Sequence, residues 1–470
     1  TCRLTGGTVT MGAGTNAFTN ISLLKALGNS TVDVGAAGTL TNVNTIDLLD
    51  GATDDRLTVV GTLAGTGALN LDLNMLNSTV DQLVVTGNVA ANAVQTVNVA
   101  APGLPTTAHT SAVFGRVSGT STASNFVAGR IFGYSPANFL DLDLTVTSQI
   151  NTANTAADLF SINVDVAGLS DSGSLAASIG SGAADFLNSQ VGTFRQRLGV
   201  NPYGDAGKVM SAFVRVYTSE GDVDQAHVAA NFGQGGNFAY DLSSWGREVG
   251  VNANLFGNFH AGVVLGTADS RQRLTGAGVG QNRMDGMTWG AYATWYVPQG
   301  FYVDLTHRQM AVDVESTSIA GLLQSRAHTT SKSLEAGYEW AVGGFNIVPQ
   351  VQYTRTDVED IRAIAFDRAT FEGHGGSSER GRVGVEFNKT FTAGNLRWTP
   401  YGSINAIREF DGEMTYTVGN NFFGSTSVEG TSAMAELGLG VQSGAWGFNI
   451  GANWTDGGAY KSAVSGQASV

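Results

Sequence analysis

The sequence predicts an all-β protein in two unlike parts. A right-handed β-helix stem comes first, then a twelve-stranded transmembrane β-barrel with a pore-spanning α-helix leading into it. Three observations carry this. The first part is poor in charge and rich in β-branched residues, and two of its segments, 55–63 DRLTVVGTL and 81–89 DQLVVTGNV, echo one another 26 residues apart. The second part alternates apolar and polar residues with a period of two, almost to its last residue. Between them lies a segment with helical periodicity.

Composition narrows the choice before any element is placed. The 470 residues include 63 glycines and 25 Lys+Arg against 39 Asp+Glu, a net charge of -14, and the pI is near 4.8. Only 14% of residues are charged, where an ordinary soluble domain has about a quarter. This acidity excludes a nucleic-acid partner, which would need a basic patch able to displace counterions from phosphates. Cys2 is the single cysteine, which excludes an internal disulfide framework and Cys-rich metal sites. No run of 18 or more apolar residues is present, so helical membrane spans are excluded while β-barrel strands, short and only alternately apolar, are not. The sequence opens at Thr1 with no basic segment and apolar run, so any export signal is expected to have been removed already.

In the stem, residues 1–100 read as β-helical coils. The 26-residue spacing suits one coil, with a short strand recurring at the same azimuth. The intervening ALNLDLN places Leu69, Leu71 and Leu73 on one face and Asn70, Asp72 and Asn74 on the other. A β-sandwich is the structural alternative. From 101 to 181 the pattern blurs into a cap and linker, although FLDLDLTVT at 139–147 still alternates. The helix is expected over 182–200, where Phe186, Leu187, Phe194 and Leu198 share a stripe while Arg195 and Arg197 cluster near the end. Gly199 stops it, with Pro202 beyond.

The barrel is expected over 206–470. Twelve alternating spans lie at 208–218, 245–256, 258–268, 285–297, 300–310, 332–341, 344–355, 381–391, 396–408, 431–442, 444–455 and 459–470. Each has roughly the nine to eleven residues that a tilted strand needs to cross a bilayer. Tight connections at 257–258, 298–299, 342–344, 392–395 and 443–444 take turns with long ones at 219–244, 269–284, 311–331, 356–380 and 409–430. Short turns at one rim and long loops at the other mark the periplasmic and extracellular sides of an outer-membrane barrel. Pro349 and Pro400 fall inside predicted strands, where local bulges are expected. A soluble β-sandwich is the alternative for this half, but its wet face would carry Lys rather than the Gly, Asn and scattered carboxylates found here.

With the apolar set facing lipid, the opposite set lines a hydrated interior. It includes Arg215, Glu248, Asp304, Arg308, Glu335, Glu339, Arg382, Glu386, Arg397 and Glu436. An Arg or Lys on the lipid face would cost about 2–4 kcal/mol near the midplane. The inward carboxylates make the channel acidic, and Arg195 and Arg197 of the helix are placed to meet them. The helix is therefore expected in the pore; a helix lying beside the barrel is the alternative.

In this order, FLNSQVGTFRQRLG at 186–199, the opening strand with Arg215, GREVGVNANL at 246–255 and LRWTPYGSINAIREF at 396–410 resemble the C-terminal translocator of a type Va autotransporter. Residues around 55–89 resemble the last coils of a β-helical passenger, and those after them its autochaperone cap. The resemblance implies a Gram-negative outer-membrane anchor that secretes its own passenger to the cell surface, most simply an adhesin. It implies outer-membrane lipid and lipopolysaccharide, the barrel assembly machinery and periplasmic chaperones as partners, and a host or matrix ligand for the passenger. Such barrels end on an aromatic residue that the assembly machinery reads, whereas this sequence ends GQASV, which leads us to expect that it stops a few residues short. Some relatives cut themselves at an Asn in the linker helix; Asn188 lies there without an adjacent Asn. The competing classes are a porin-like channel with an outer β domain, an exported hydrolase whose catalytic part is absent, and a soluble surface adhesin.

No enzyme and no cofactor are expected. DSGS at 171–174 holds a serine in the expected linker, and His109 is the only histidine before residue 200, so no nucleophile, base and acid are expected to come together. His227, His260, His307, His328 and His374 have no metal-ligand spacing. Asp222 and Asp224 read as a wetted acidic loop rather than a calcium site.

Overall fold

The computed structural model describes all residues except 13, 136–137, 154, 200–209, 277–278, 298, 319–320 and 365–368. The expected strand start at 208, the barrel boundary at 206, Pro202 and Pro298 lie outside the described residues. The chain forms two compact units: Thr1–Gly168 with Asn231–Gly235 and Asn420–Phe422, and Leu169–Ala230 with Gly236–Gly419 and Phe423–Val470.

The first unit is a three-faced parallel β-helix. One face stacks Cys2–Thr5, Leu23–Leu27, Thr45–Asp47, Ala68–Asn74, Gln95–Ala100 and Phe126–Phe132. A second stacks Thr8–Thr10, Asn29–Asp33, Arg56–Val60, Gln82–Val85 and His109–Val117, and a third Ala17–Asn20, Thr39–Asn42 and Thr62–Ala64. Alternation turns one apolar set inward, and the register piles like on like: Leu24, Ile46, Leu69 and Val97 on one face, Val32, Val59 and Val85 on the next. The two echoing segments are neighbours in this stack, with Leu57 beside Leu83.

Polar residues also stack inside. Asn20 Nδ2 donates to Asn42 Oδ1 at 2.8 Å, and Asn42 Nδ2 to Gln95 Oε1 at 2.7 Å, a buried amide ladder at one corner. Asp81 is fully buried and accepts the Asp55 and Asp72 amides. Burial pushes its carboxyl up to about 8, against the lowering effect of those two amides.

The coils do not stop at residue 100, as the strand Phe126–Phe132 still adds in parallel to Gln95–Ala100. The stack ends where His109–Val117 takes an antiparallel partner, Asp158–Leu169, with Leu140–Gln149 beyond it. This change of direction covers an edge that parallel stacking would leave open. Phe114, Phe126 and Phe160 pack together beneath it, with ring centroids 5.5 and 4.5 Å apart.

The second unit opens with two helices, α1 (Asp171–Val191) and α2 (Phe194–Leu198). The Ser170 hydroxyl accepts the Gly173 N–H at 3.2 Å and Asp171 puts a carboxylate in the first turn, so α1 starts well before the expected residue 182. DSGS is thus the first turn of a helix, not a linker. Gly192, at φ +59, ends α1, and a capping box between Thr193 and Gln196 restarts the chain as α2 up to Gly199. One expected helix is therefore two.

Around the helices, twelve long antiparallel strands close a barrel: Met210–Asp224, Ala239–Phe256, Phe259–Leu274, Gly280–Tyr296, Phe301–Ser318, Gly321–Tyr338, Phe345–Val358, Thr370–Asn388, Leu396–Asp411, Gly430–Ser443, Trp446–Gly457 and Tyr460–Ser469. The last pairs with the first, Ser469 beside Arg215. Outward positions carry Trp289, Leu305, Val351, Ile404, Leu437 and Ile450, all exposed. The strands run far into segments read from sequence as loops. Thr370–Asn388, for example, covers much of 356–380. Apolar alternation marks only the stretch that meets lipid; beyond it the ladder continues with charged outward residues, such as Arg326 and Asp313 paired at 2.7 Å.

The expected bulges at Pro349 and Pro400 are absent. Pairing resumes in the same register on either side of each, from Gly337 with Gln350 to Trp340 with Ile347, and from Asn388 with Tyr401 to Phe391 with Trp398. Each proline still pairs with its other neighbour, Pro349 with Val385 and Pro400 with Leu439. A missing N–H interrupts one ladder locally without displacing the strand.

Candidate functional site

The site is the barrel lumen and the helices that fill it. Nearly every residue of α1 is buried, as expected for a helix enclosed on all sides. Its Ile179, Ala183, Ala184, Phe186 and Leu187 pack against Met284, Met310, Val312 and Val314 of the wall. Small residues allow this: a Cβ on Gly182 would lie 2.0 Å from Gln272 Nε2. Phe194 and Leu198 do not share a stripe with Phe186. They lie past the helix break, with Phe194 stacked on Tyr302 at 4.5 Å.

Polar groups fix the depth of α1. Asn282 Nδ2 donates to the Leu175 carbonyl at 2.8 Å, Gln272 Nε2 to the Ser178 carbonyl at 3.1 Å, and Thr288 Oγ1 to Gln190 Oε1 at 2.6 Å. Asn188 is held on both sides, accepting from Thr356 at 2.6 Å and donating to Ser378 at 3.2 Å.

α2 carries the densest charge. Arg195 meets Glu386 through Nε at 3.0 Å and Nη2 at 2.8 Å, a two-pronged pair. Arg197 pairs with Asp304 and lies over the Tyr292 ring, 4.6 Å from its centroid. Asp304 also accepts from Thr294 at 2.6 Å and Thr306 at 3.2 Å. Glu335 accepts the Phe194 N–H at 2.9 Å, so a carboxylate caps the first turn of α2; it also accepts the Tyr302 hydroxyl at 2.8 Å and pairs with Arg382 at 3.1 Å. Arg215 and Arg308 share Glu248, at 2.8 and 2.7 Å, and Arg215 donates to the Gln190 carbonyl at the end of α1. Glu436 faces Gln196.

Two residues of the expected set stand apart. Glu339 sits by the short turns, accepting from Asn346 at 2.6 Å, and Arg397 donates to Gln442 at 2.7 Å.

A second network higher on α1 escaped the sequence reading. Arg380 donates to Glu409 at 3.1 Å, to Asp185 at 3.3 Å and to the Tyr460 hydroxyl at 2.8 Å, while Tyr460 donates to Asp185. Arg380 continues the inward parity of Arg382, and Glu409 that of Asn405, so counting by twos past the apolar belt would have found both. A cavity of about 190 Å³, bordered by Asn188, Arg215, Arg380, Glu409 and Tyr460, has room for about six waters.

The threading has a direction. At the N-terminal end of α1, Asp171 accepts the Val279 N–H at 2.9 Å and Ser172 bonds Ser318 at 2.6 Å, both at the rim of the long hairpins. At the other end, Phe194 and Leu198 pack with Tyr302, Val348 and Tyr296 beside the short turns.

Ser174 is buried in the first turn of α1 and accepts the Asn237 N–H at 3.1 Å, and His109 pairs with Asp165 at 2.6 Å.

A closed barrel with an apolar outer belt and a charged, helix-filled lumen is an outer-membrane β-barrel of a Gram-negative bacterium. The profile of the family described as the autotransporter β-domain matches residues 212–455, and the chain belongs to that family. It is 32% identical over 212 residues to the pertactin autotransporter of Bordetella bronchiseptica, covering 43% of this chain and 23% of that protein. It is 27% identical over 202 residues to the probable autotransporter YcgV of Escherichia coli, covering 41% of this chain and 21% of that one. The chain thus spans less than a quarter of the length of the curated relatives it matches. Among solved structures it is similar to the β domain of the Bordetella autotransporter BrkA, with a TM-score of 0.46, 18% identity, and 56% of this chain and 98% of that one covered. It is also similar to the translocator domain of NalP from Neisseria meningitidis, at 0.47 and 14%, covering 63% and 98%.

Proposed function

We propose that the barrel exports the chain's own N-terminal stem and then holds it at the cell surface, with α1 and α2 closing the lumen behind it. One observation carries this reading: α1 begins at the long-hairpin rim, beside Val279 and Ser318, and α2 ends at the short-turn rim. In outer-membrane barrels the long connections face outward, so the stem-side end of the helix lies at the external mouth. The stem adheres rather than catalyses: stacked coils offer a long surface without needing a pocket, and its ligand is a host or matrix surface. Insertion by the barrel assembly machinery, escort by periplasmic chaperones and contact with lipopolysaccharide belong to the same reading.

Protease added to intact cells tests it. Stem fragments should be released while residues 210–469 stay protected in the membrane; a stem cut only after lysis refutes surface display. Cells carrying the chain should also bind matrix or host cells better than cells carrying it without residues 1–168, and equal binding refutes adhesion.

A further inference from the structure

We propose that the stem binds one calcium ion at the β-helix corner formed by Asp50, Asp54 and Asp55. The site needs only the stem's own coils and does not depend on the export reading. The corner joins the strands Thr45–Asp47 and Arg56–Val60. Each of the three aspartates offers a carboxylate oxygen, and these oxygens all lie within 4.8 Å of one another. Two oxygens on opposite sides of one calcium ion, each about 2.4 Å from it, are separated by about that distance. The three carboxylates therefore already lie within the span of a single coordination sphere.

The buried member of the set supplies the second observation. Asp55 is 2% exposed. One of its oxygens, Oδ1, accepts the Gly28 N–H, while Oδ2 is buried with no hydrogen-bond partner among the described residues. The neighbouring buried aspartates differ. Asp72 accepts the Asp50 and Gly51 amides at 2.7 and 2.8 Å, and Asp81 accepts the Asp55 and Asp72 amides at 3.2 and 2.8 Å. Those two are occupied in holding the turn, and Asp55 keeps a carboxylate oxygen with no donor. A buried, unpaired acceptor of this kind is costly, and a cation removes the cost. Asp50, Asp54 and Asp72 all act on Asp55 with like charge, which a divalent ion offsets.

The donor chemistry selects the metal. The set is all oxygen, without His or Cys, which favours a hard cation. Asp50 and Asp54 are exposed, leaving water free to complete the six to eight ligands that calcium accepts in loose geometry. A site of few protein ligands on an exposed corner belongs with extracellular modules, whose Kd is about 0.1–1 mM.

Equilibrium dialysis of the full chain in detergent against calcium chloride tests the assignment, comparing the natural sequence with the double variant D50N/D54N. Both changed residues are exposed, so the variant keeps the fold; Asp55 itself is left alone because it also holds Gly28. Other exposed acids, such as Asp222 and Asp224, contribute equally to both proteins. The natural chain should bind one calcium equivalent more than the double variant, with D143N, an exposed acid elsewhere in the stem, binding like the natural chain. Calcium at ten times Kd should raise the stem's melting temperature by about 3–6 °C in the natural chain and leave D50N/D54N unmoved. Equal binding by the natural chain and D50N/D54N, or an equal loss in D143N, overturns the proposal.

Discussion

Replacing Arg197 by Met should unseat the lower end of the plug and make the barrel leak. Arg197 and Asp304 are 2% and 3% exposed and paired with one another. Without Arg197, Asp304 keeps, among the described residues, only the Thr294 and Thr306 hydroxyls as donors. Breaking one side of a buried ion pair costs about 3–5 kcal/mol; the two remaining hydroxyls put this case near the lower figure. At 1.4 kcal/mol per tenfold, about 3 kcal/mol shifts the ratio of seated to unseated α2 by roughly 100-fold. Planar-bilayer recording reads this directly, as longer and more frequent open events. Because removing both partners of a buried pair is often nearly neutral, R197M combined with D304L should return most of the way to the quiet natural trace. Conductance unchanged in R197M, or a double variant as leaky as the single, would refute the assignment of this pair as a lumen anchor.

Three other outcomes follow from the same packing. Gly182→Leu forces a side chain into the space occupied by Gln272, so it should cost about 1–3 kcal/mol and leak in the bilayer, while Gly7→Ala, which meets nothing within 4 Å, should change neither stability nor conductance. Leu57→Ala empties a fully buried position in the stem and should cost about 2–5 kcal/mol, lowering the stem transition in calorimetry while the barrel still migrates faster unboiled than boiled. Leu437→Arg puts a charge at an outward position that is 74% exposed and should cost about 2–4 kcal/mol of membrane stability, measured by urea unfolding in vesicles.

Much of this architecture was legible because period-two alternation is a direct consequence of strand geometry. The twelve spans and the inward side of Arg215, Glu248, Asp304 and Glu386 follow from parity, and the turn expected at 257–258 is found there, while those expected at 392–395 and 443–444 lie at 394–395 and 444–445. What escaped had a weak apolar signal or none. The first half of α1 is mostly Gly, Ser and Ala, with only Leu175 and Ile179 as large apolar residues, and Gly and Ser are weak helix formers; enclosure by the wall makes it helical, and enclosure is not a local property. The break at Gly192 was readable from Thr193 and Gln196 as a capping box, but the continuous stripe from Phe186 to Leu198 hid it. Arg380 and Glu409 were missed because the strands were ended where lipid contact ends. In the stem, no periodicity singles out Asn20, Asn42 and Gln95, and only stacking reveals that they bond one another across coils.

All seven tryptophans lie in the barrel sequence, and all seven face outward, between 39% and 67% exposed. Reconstitution into vesicles whose acyl chains carry bromine is therefore the sharpest test of the lipid-facing belt. Bromine should quench most of the tryptophan emission, with little added quenching by acrylamide in water. Emission indifferent to bromine and readily quenched by acrylamide would mean that these strands do not face lipid.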